Sequence, residues 1–291
     1  MKQKDRARKL TGEQGFDQYY SDLFGERWPA LKAALLGKDS PLAYDAGGKD
    51  RYFLDSASVR AAASLPLSGA KSILDMCAAP GGKTVVIASC MDKDAKLLSN
   101  ERSSDRKNRL VNTVKNCLPP QISERVTVIG KDGATLCLAP SNRFDRILLD
   151  APCSSERHVL QDPNYLKDWS PSRIRTLAAA QWALLSSAWR MLKEGGCMVY
   201  STCALNPDEN DNVIQKLLKK FDDVEVLTCK AGGGVCAPGE EPTLSDVSPF
   251  CDARLPAGEQ TRFGRHVLPD TSDGAGPLYY CVLSKKNLQI Q

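Results

Sequence analysis

Apolar positions along this chain change their spacing near residue 50. Between Phe16 and Leu36 they fall at Phe16, Tyr19, Tyr20, Leu23, Phe24, Leu31, Leu35 and Leu36. Gaps of three and four give one apolar stripe per helix, and Gly25 and Trp28-Pro29 interrupt them, so the pattern predicts two amphipathic helices. Their aromatics read as core residues rather than a platform for stacking bases, and Gly47-Gly48 closes this stretch. From Tyr52 helical and strand patterns alternate. Helix 56–63 leads to strand Ser72–Asp75, helix 83–89 to strand Lys96–Asn100, and helix 104–117 to strand Arg125–Ile129. Strand Arg146–Asp150 is followed by a long helix over 172–192 that stops at Gly195-Gly196. Strand Met198–Ser201, helix 208–219 and strand Val224–Leu227 follow. Residues 230–277, rich in Gly, Pro, Ser and Asp, break the rhythm as a disordered segment or a loop packed over the sheet. A last strand, Leu278–Leu283, fits an antiparallel addition at the sheet's end.

The pattern predicts an α/β fold: a mostly parallel sheet with helices on both faces and a terminal antiparallel strand. Residues 1–50 form a small N-terminal helical extension and residues 51–291 the main domain. In such a sheet, ligands gather at the carboxyl ends of the strands. Hydrophobic content of 42% and charged content of 25% suit a globular chain, and no apolar run is long enough to span a bilayer. A net charge of +4 permits a nucleic-acid partner without requiring one. Met1 to Lys9 carries five cations against Asp5, which reads as a solvated terminus before it reads as an arm on a polyanion. Eleven cysteines without a C-x-x-C pair, beside only two histidines, argue against a zinc site or a secreted disulfide framework. They point to a reducing compartment.

The most informative stretch runs Ile73-Leu74-Asp75-Met76-Cys77-Ala78-Ala79-Pro80-Gly81-Gly82-Lys83-Thr84. It reads as a strand end, a tight turn and a helix start, where free N–H groups can meet an anionic group. Further acids fall at strand ends: Glu101, placed to hold ribose hydroxyls, Asp132, placed to meet an adenine amino group or to cap a turn, and Asp150. Taken singly, each acid is more often a cap or a turn residue. Together with Gly81-Gly82 they outline a nucleoside-cofactor cleft. A dehydrogenase would want G-x-G-x-x-G here, and it is absent. That favours a cofactor without a pyrophosphate, such as S-adenosyl-L-methionine.

Two cysteines also follow strands directly, Cys153 in Asp150-Ala151-Pro152-Cys153 and Cys203 in Ser201-Thr202-Cys203. Cys90, Cys117, Cys137, Cys197 and Cys281 read as small buried hydrophobes. A thiol beside a methyl donor suits a carbon too electron-poor to attack a sulfonium unaided, and cytosine C5 is one. Addition of a thiolate to C6 makes an enamine, C5 takes the methyl, and loss of the C5 proton expels the thiol.

These motifs, Leu74–Thr84, Asp150–Cys153 and Ser201-Thr202-Cys203, resemble those of the Sun-type (RsmB/RsmF-like) RNA cytosine-5 methyltransferases, over about Tyr52 to Leu283. The Phe16–Leu36 pattern is similar to a short branch with mitochondrial members and bacterial relatives. The chain departs from the family where Ser154-Ser155-Glu156 follows the Pro-Cys element and where Leu278-Tyr279-Tyr280 stands near the end. The resemblance implies a class I methyltransferase (Rossmann-like) fold with S-adenosyl-L-methionine bound by Cys77, Ala78, Ala79, Pro80, Gly81, Gly82, Lys83, Glu101, Asp132 and Asp150. It implies Cys203 as nucleophile, Cys153 in product release, Asp150 on the cytosine and Lys83 on the substrate side. The substrate expected is small-subunit rRNA, ahead of tRNA. A cytoplasmic or mitochondrial-matrix setting and a protein partner that aids RNA binding are compatible with it. Three other readings fit less well: a DNA cytosine methyltransferase, whose nucleophile would be the Pro-Cys cysteine; a catalytically idle RNA-binding assembly factor, against which Cys203, Cys153 and Asp150 stand; and a thiol-redox protein, which would want C-x-x-C.

Overall fold

The computed structural model describes residues 11–38, 41–139, 144–229, 235–236 and 255–287. The basic run of Met1–Lys9 and residues 230–234 and 237–254 of the expected excursion lie outside them. The chain opens with α1 (Gly12–Phe24), a 3-10 turn at Gly25–Arg27 and α2 (Trp28–Leu36). A hairpin of β1 (Leu42–Tyr44) and β2 (Tyr52–Leu54) follows, then α3 (Ser56–Ala63), β3 (Ser72–Asp75), α4 (Gly82–Cys90), β4 (Lys96–Asn100), α5 (Ser104–Cys117), α6 (Pro120–Ser123) and β5 (Val126–Ile129). After a 3-10 turn at Gly133–Leu138 come β6 (Phe144–Asp150), α7 (Glu156–Gln161), α8 (Pro163–Lys167), α9 (Pro171–Met191), β7 (Leu192–Thr202), α10 (Asp211–Lys220) and β8 (Val224–Cys229). The short strands β9 (Val235–Cys236), β10 (Glu259–Gln260) and β11 (Arg265–Val267) lead to β12 (Leu278–Lys285).

The main sheet runs β10-β11-β12-β7-β6-β3-β4-β5. Strands β5, β4, β3, β6 and β7 are mutually parallel, and β12 lies antiparallel to β7. The chain-terminal strand is not at the sheet's end: its outer edge pairs with β11 through Leu278–Tyr280 and with β8 through Val282–Lys285. Successive residues face opposite layers, as the pleat requires. Ile73, Leu148, Val199 and Val282 pack toward α3, α4 and α5. Leu74, Ile147, Leu149, Tyr200 and Tyr279 pack toward α9 and α10. A third cluster holds α1 and α2 to the rest, with Phe16, Tyr20, Trp28 and Leu31 against Trp169, Leu160 and Leu205. The early aromatics are core.

Three local expectations change. Gly47-Gly48 does not close a separate unit, because it lies in the loop of the β1–β2 hairpin, paired from Leu42–Leu54 to Tyr44–Tyr52 across residue 50. Gly195-Gly196 does not stop a helix: α9 ends at Met191, and both glycines lie within β7. A Cβ on Gly196 would meet the Lys193 and Asp145 carbonyls at 2.8 and 3.0 Å, so a residue without one is needed there. Among the five cysteines read as buried, Cys117 and Cys281 are buried, while Cys90, Cys137 and Cys197 are half-buried and pack against the two main clusters.

Candidate active site

The turn after β3 is fastened on both sides. Met76 N–H donates to the Leu148 carbonyl of β6 at 2.9 Å, and Ala78 N–H donates to the Asn100 carbonyl of β4 at 2.9 Å. The Ala79-Pro80 peptide is cis. Gly81 caps α4 at φ +116°, where a side chain would be strained, and a Cβ on Gly82 would lie 2.6 Å from the Tyr52 ring. The Ala79 and Pro80 carbonyls accept from Arg106 Nη2 and Thr113 Oγ1 of α5, each at 2.7 Å. Asp75, the last residue of β3, is fully buried; its Oδ2 accepts from Thr84 Oγ1 at 2.6 Å. Its Oδ1 has no hydrogen-bond partner among the described residues. Burial raises the Asp75 carboxyl to about 7, with the Thr84 bond opposing and Asp150 adding to the rise. A cavity of about 170 Å³ meets Asp75, Cys77, Ala78, Ala79, Pro80, Gly82 and Lys83. Burial also pushes the Cys77 thiol well above its ordinary range.

A second cavity, about 350 Å³, lies beyond β4 and is lined by Cys77, Asn100, Glu101, Asp132, Ala134 and Leu184 among others. Glu101 is nearly buried, and its Oε1 accepts from Ser103 N–H at 2.9 Å. Arg106 Nε stands 3.6 Å from its other oxygen. Asp132 caps the following 3-10 turn through Ala134 N–H at 3.1 Å, with Arg102 3.7 Å from its second oxygen. Both acids thus serve local structure as well as facing the cavity.

The third cavity, about 430 Å³, opens past β6 and β7 and is lined by Ser58, Lys83, Asp150, Ser155, His158 and Cys203 among others. It shares Ser58, Lys83 and Asp150 with the first. Lys83 Nζ donates to Asp150 Oδ2 at 2.8 Å and to Ser58 Oγ at 3.2 Å, and Ser201 Oγ donates to Asp150 Oδ1 at 2.7 Å. Burial draws the Lys83 ammonium down, but Asp150 outweighs it and the net displacement is upward, so Lys83 is a cation here. Cys153 and Cys203 face each other with their sulfurs 2.7 Å apart, and Cys203 N–H donates to Cys153 Sγ at 3.2 Å. Of the pair, Cys203 is the more acidic. The Cys153 hydrogen bond lowers it against burial, with Ser155 helping, whereas the same bond and burial raise Cys153.

Beneath the two sulfurs lies a buried polar network. Glu156 accepts from Tyr20 Oη of α1, from Ser154 Oγ and, at 3.1 Å, from Leu205 N–H. Glu209 accepts from Ser154 N–H at 2.9 Å, Gln181 Nε2 at 2.7 Å and Asn206 Nδ2 at 2.7 Å. Ser154 and Leu205 flank Cys153 and Cys203 in sequence, so the two carboxylates tie the cysteine loops together. Burial raises the Glu156 carboxyl, and Glu209 adds to the rise.

All the residues singled out in sequence lie along the carboxyl ends of β3, β4, β6 and β7 or just beyond β5, in three adjoining groups. Cys203 reaches the third cavity beside Lys83 and Asp150; Cys153 stands behind it. Asp75, Ser58, Ser155, Glu156 and Glu209 escaped the sequence reading. Asp75 carried the same signal as Glu101, an acid ending a parallel strand. Among the described residues, no cluster of His, Cys, Asp and Glu could hold a metal ion, and no helix is long and apolar enough to cross a membrane.

A family model described as 16S rRNA methyltransferase RsmB/F matches residues 62–282. Ribosomal RNA small subunit methyltransferase F of Cronobacter sakazakii is 37% identical over 215 residues, which are 70% of this chain and 44% of that protein. The protein of the same description from Escherichia coli O9:H4 is 40% identical over 179 residues, 60% of this chain and 36% of its own. The chain thus spans less than half the length of these relatives. A methyltransferase homolog protein from Pyrococcus horikoshii superposes with a TM-score of 0.69 over 97% of this chain and 98% of that one, at 22% identity, which speaks for the fold.

Proposed function

Because the chain belongs to the RsmB/F family of 16S rRNA methyltransferases, we propose that it methylates C5 of a cytosine in small-subunit ribosomal RNA with S-adenosyl-L-methionine as donor. The observation that carries the reading is the pair of facing thiols, Cys153 and Cys203, set beside the Lys83–Asp150 ion pair at the ends of adjacent parallel strands. The donor supplies an electrophilic methyl group on a sulfonium. The site suits it: Asp75 Oδ1, buried and unpartnered, wants a cationic donor such as an α-ammonium, and Glu101 offers carboxylate oxygens to hydroxyls. The turn Cys77–Lys83 with Asp132 and Asp150 would complete its binding.

The remaining chemistry belongs to the chain's own residues. Cys203 Sγ adds to cytosine C6, and the electrons it brings make C5 nucleophilic. Asp150, held by Lys83 and Ser201, hydrogen-bonds the base and steadies the ring as N3 takes a proton from water, which it returns when the ring is restored. Lys83 balances the carboxylate. Once C5 is methylated, water takes its proton, the electrons left behind restore the C5–C6 double bond, and the C6–S bond breaks with the Cys153 thiol hydrogen-bonded to the departing Cys203 sulfur. The base must leave its stack to reach Cys203, which favours a loop or an unpaired junction. Two thiols this close need a reducing compartment, which the cytoplasm or the mitochondrial matrix supplies.

Denaturing gels with unmodified RNA test the assignment. Cys153→Ala should accumulate a covalent protein–RNA complex, and Cys203→Ser should form none and turn nothing over. The reverse pattern would transfer the nucleophile to Cys153. Bisulfite sequencing of RNA from cells lacking the protein should lose a 5-methylcytosine in small-subunit rRNA, and an unaltered rRNA profile would refute the substrate.

A further inference from the structure

The loop bearing Cys153 contains a side chain that the chemistry above leaves idle. Ser155 stands at φ +55° and ψ +57°, the left-handed region where a residue with a β-carbon is strained. Strain of this kind persists where the surroundings over-determine it, and it concentrates at functional sites. The conformation brings Ser155 Oγ 3.2 Å from Cys203 Sγ, 3.6 Å from Cys153 Sγ and 3.4 Å from the Cys153 carbonyl oxygen. The shortest of these is to Cys203, and both groups line the 430 Å³ cavity past β6 and β7.

The surroundings of the two sulfurs are unequal. Cys153 Sγ accepts the Cys203 N–H and can give its own S–H to Cys203. Cys203 Sγ can then accept from two groups, the Cys153 thiol and the Ser155 hydroxyl, whose other acceptor, the Cys153 carbonyl, lies farther off at 3.4 Å. A hydrogen bond to the charged form of a group favours that form. We infer that Ser155 is a further catalytic residue: its hydroxyl donates to Cys203 Sγ, holds that sulfur as thiolate and so selects it over Cys153 as nucleophile. The inference rests on the reading that Cys203 attacks the base. The downward displacement of Cys203, to which the Ser155 bond contributes after that from Cys153, accords with it. The charges of Asp150 and Glu156 oppose the thiolate, and Lys83 favours it. Asp55, Arg157 and His158 line the same cavity, so the comparison must be made between variants that leave all of them in place.

Two substitutions remove the hydroxyl in different ways. Ser155→Gly also relieves the backbone, so it folds without the strain, and Ser155→Ala keeps the β-carbon. The readout is the rate of alkylation of Cys203 by iodoacetamide between pH 6 and 10, mapped by peptide mass spectrometry without RNA or cofactor. Both variants should raise the apparent pKa of Cys203 by about one unit, the size of a bond to a charged group. Methyl transfer at neutral pH should fall about tenfold in kcat with KM for RNA unchanged. An unshifted Cys203 profile in both variants overturns the inference. So does a shift in Ser155→Ala alone, which would assign the effect to the backbone. If Cys203→Ser still methylates RNA, the reading of the nucleophile falls, and the catalytic role of Ser155 with it. An inactive Cys203→Ser beside an unshifted titration removes Ser155 alone.

Discussion

Asp75→Asn separates the ionisation of a buried carboxyl from its shape, since the amide oxygen can still accept from Thr84. The Asp75 carboxyl moves from an ordinary 3.8 to about 7 in the fold, chiefly through burial. At about 1.4 kcal/mol per pH unit, that gap is on the order of 4 kcal/mol. The sign follows from which state binds the proton. Between 3.8 and about 7 the unfolded chain has released it and the folded protein keeps it, so the contribution to stability is whole below the lower value. It declines as pH rises and is lost once pH passes about 7. Urea unfolding of both proteins in half-unit steps from pH 4 to 8 measures this. The difference in stability, wild type minus variant, should fall by about 4 kcal/mol across the window. His266, which burial lowers to about 4, has the opposite slope over part of the same range, but it is present in both proteins and cancels in the difference. A difference that stays flat from pH 4 to 8 would refute the argument. The same ionisation should govern cofactor affinity. Below about pH 7, wild-type affinity for S-adenosylmethionine should climb roughly tenfold per unit, and that of Asp75→Asn should not.

Glu101→Ala should weaken S-adenosylmethionine by ~1–3 kcal/mol, the cost of lost bonds to a carboxylate; unchanged calorimetric affinity would remove Glu101 from the cofactor site. Deleting residues 1–9, which lie outside the described part of the chain, should lower RNA affinity evenly across sequences and flatten its salt dependence, with cofactor binding unaltered. An unchanged salt slope would make that run a solvated tail.

What the sequence revealed and what it hid divide along physical lines. The parallel strands were legible because each is an apolar run closed by a charged or sulfur-bearing residue, as in Leu148-Leu149-Asp150 and Tyr200-Ser201-Thr202-Cys203. The row of site residues followed from topology, since parallel strands put all their carboxyl ends on one edge. The β1–β2 hairpin was missed because its strands have three residues each and Phe53 points outward, 64% exposed, leaving no alternation to read. Strands β10 and β11 were hidden by the same brevity. Glu156 and Glu209 look like surface acids by composition. Only tertiary contacts make them interior, and Tyr20 reaches Glu156 across 136 residues. Ser155 showed only as part of the departure at Ser154-Ser155-Glu156, because a backbone angle is not written in the identity of a serine.

That contact between Tyr20 and Glu156 ties the start of the chain to the sulfur chemistry. If α1 lifts away, a carboxylate sealed inside the protein loses a donor, and the strands' ends that it braces through Ser154 and Leu205 lose their anchor. Docking of the first helix and order at the Cys153–Cys203 pair are then one equilibrium seen from two places. A change at residue 20 is therefore felt at Cys153 and Cys203, far along the chain from it.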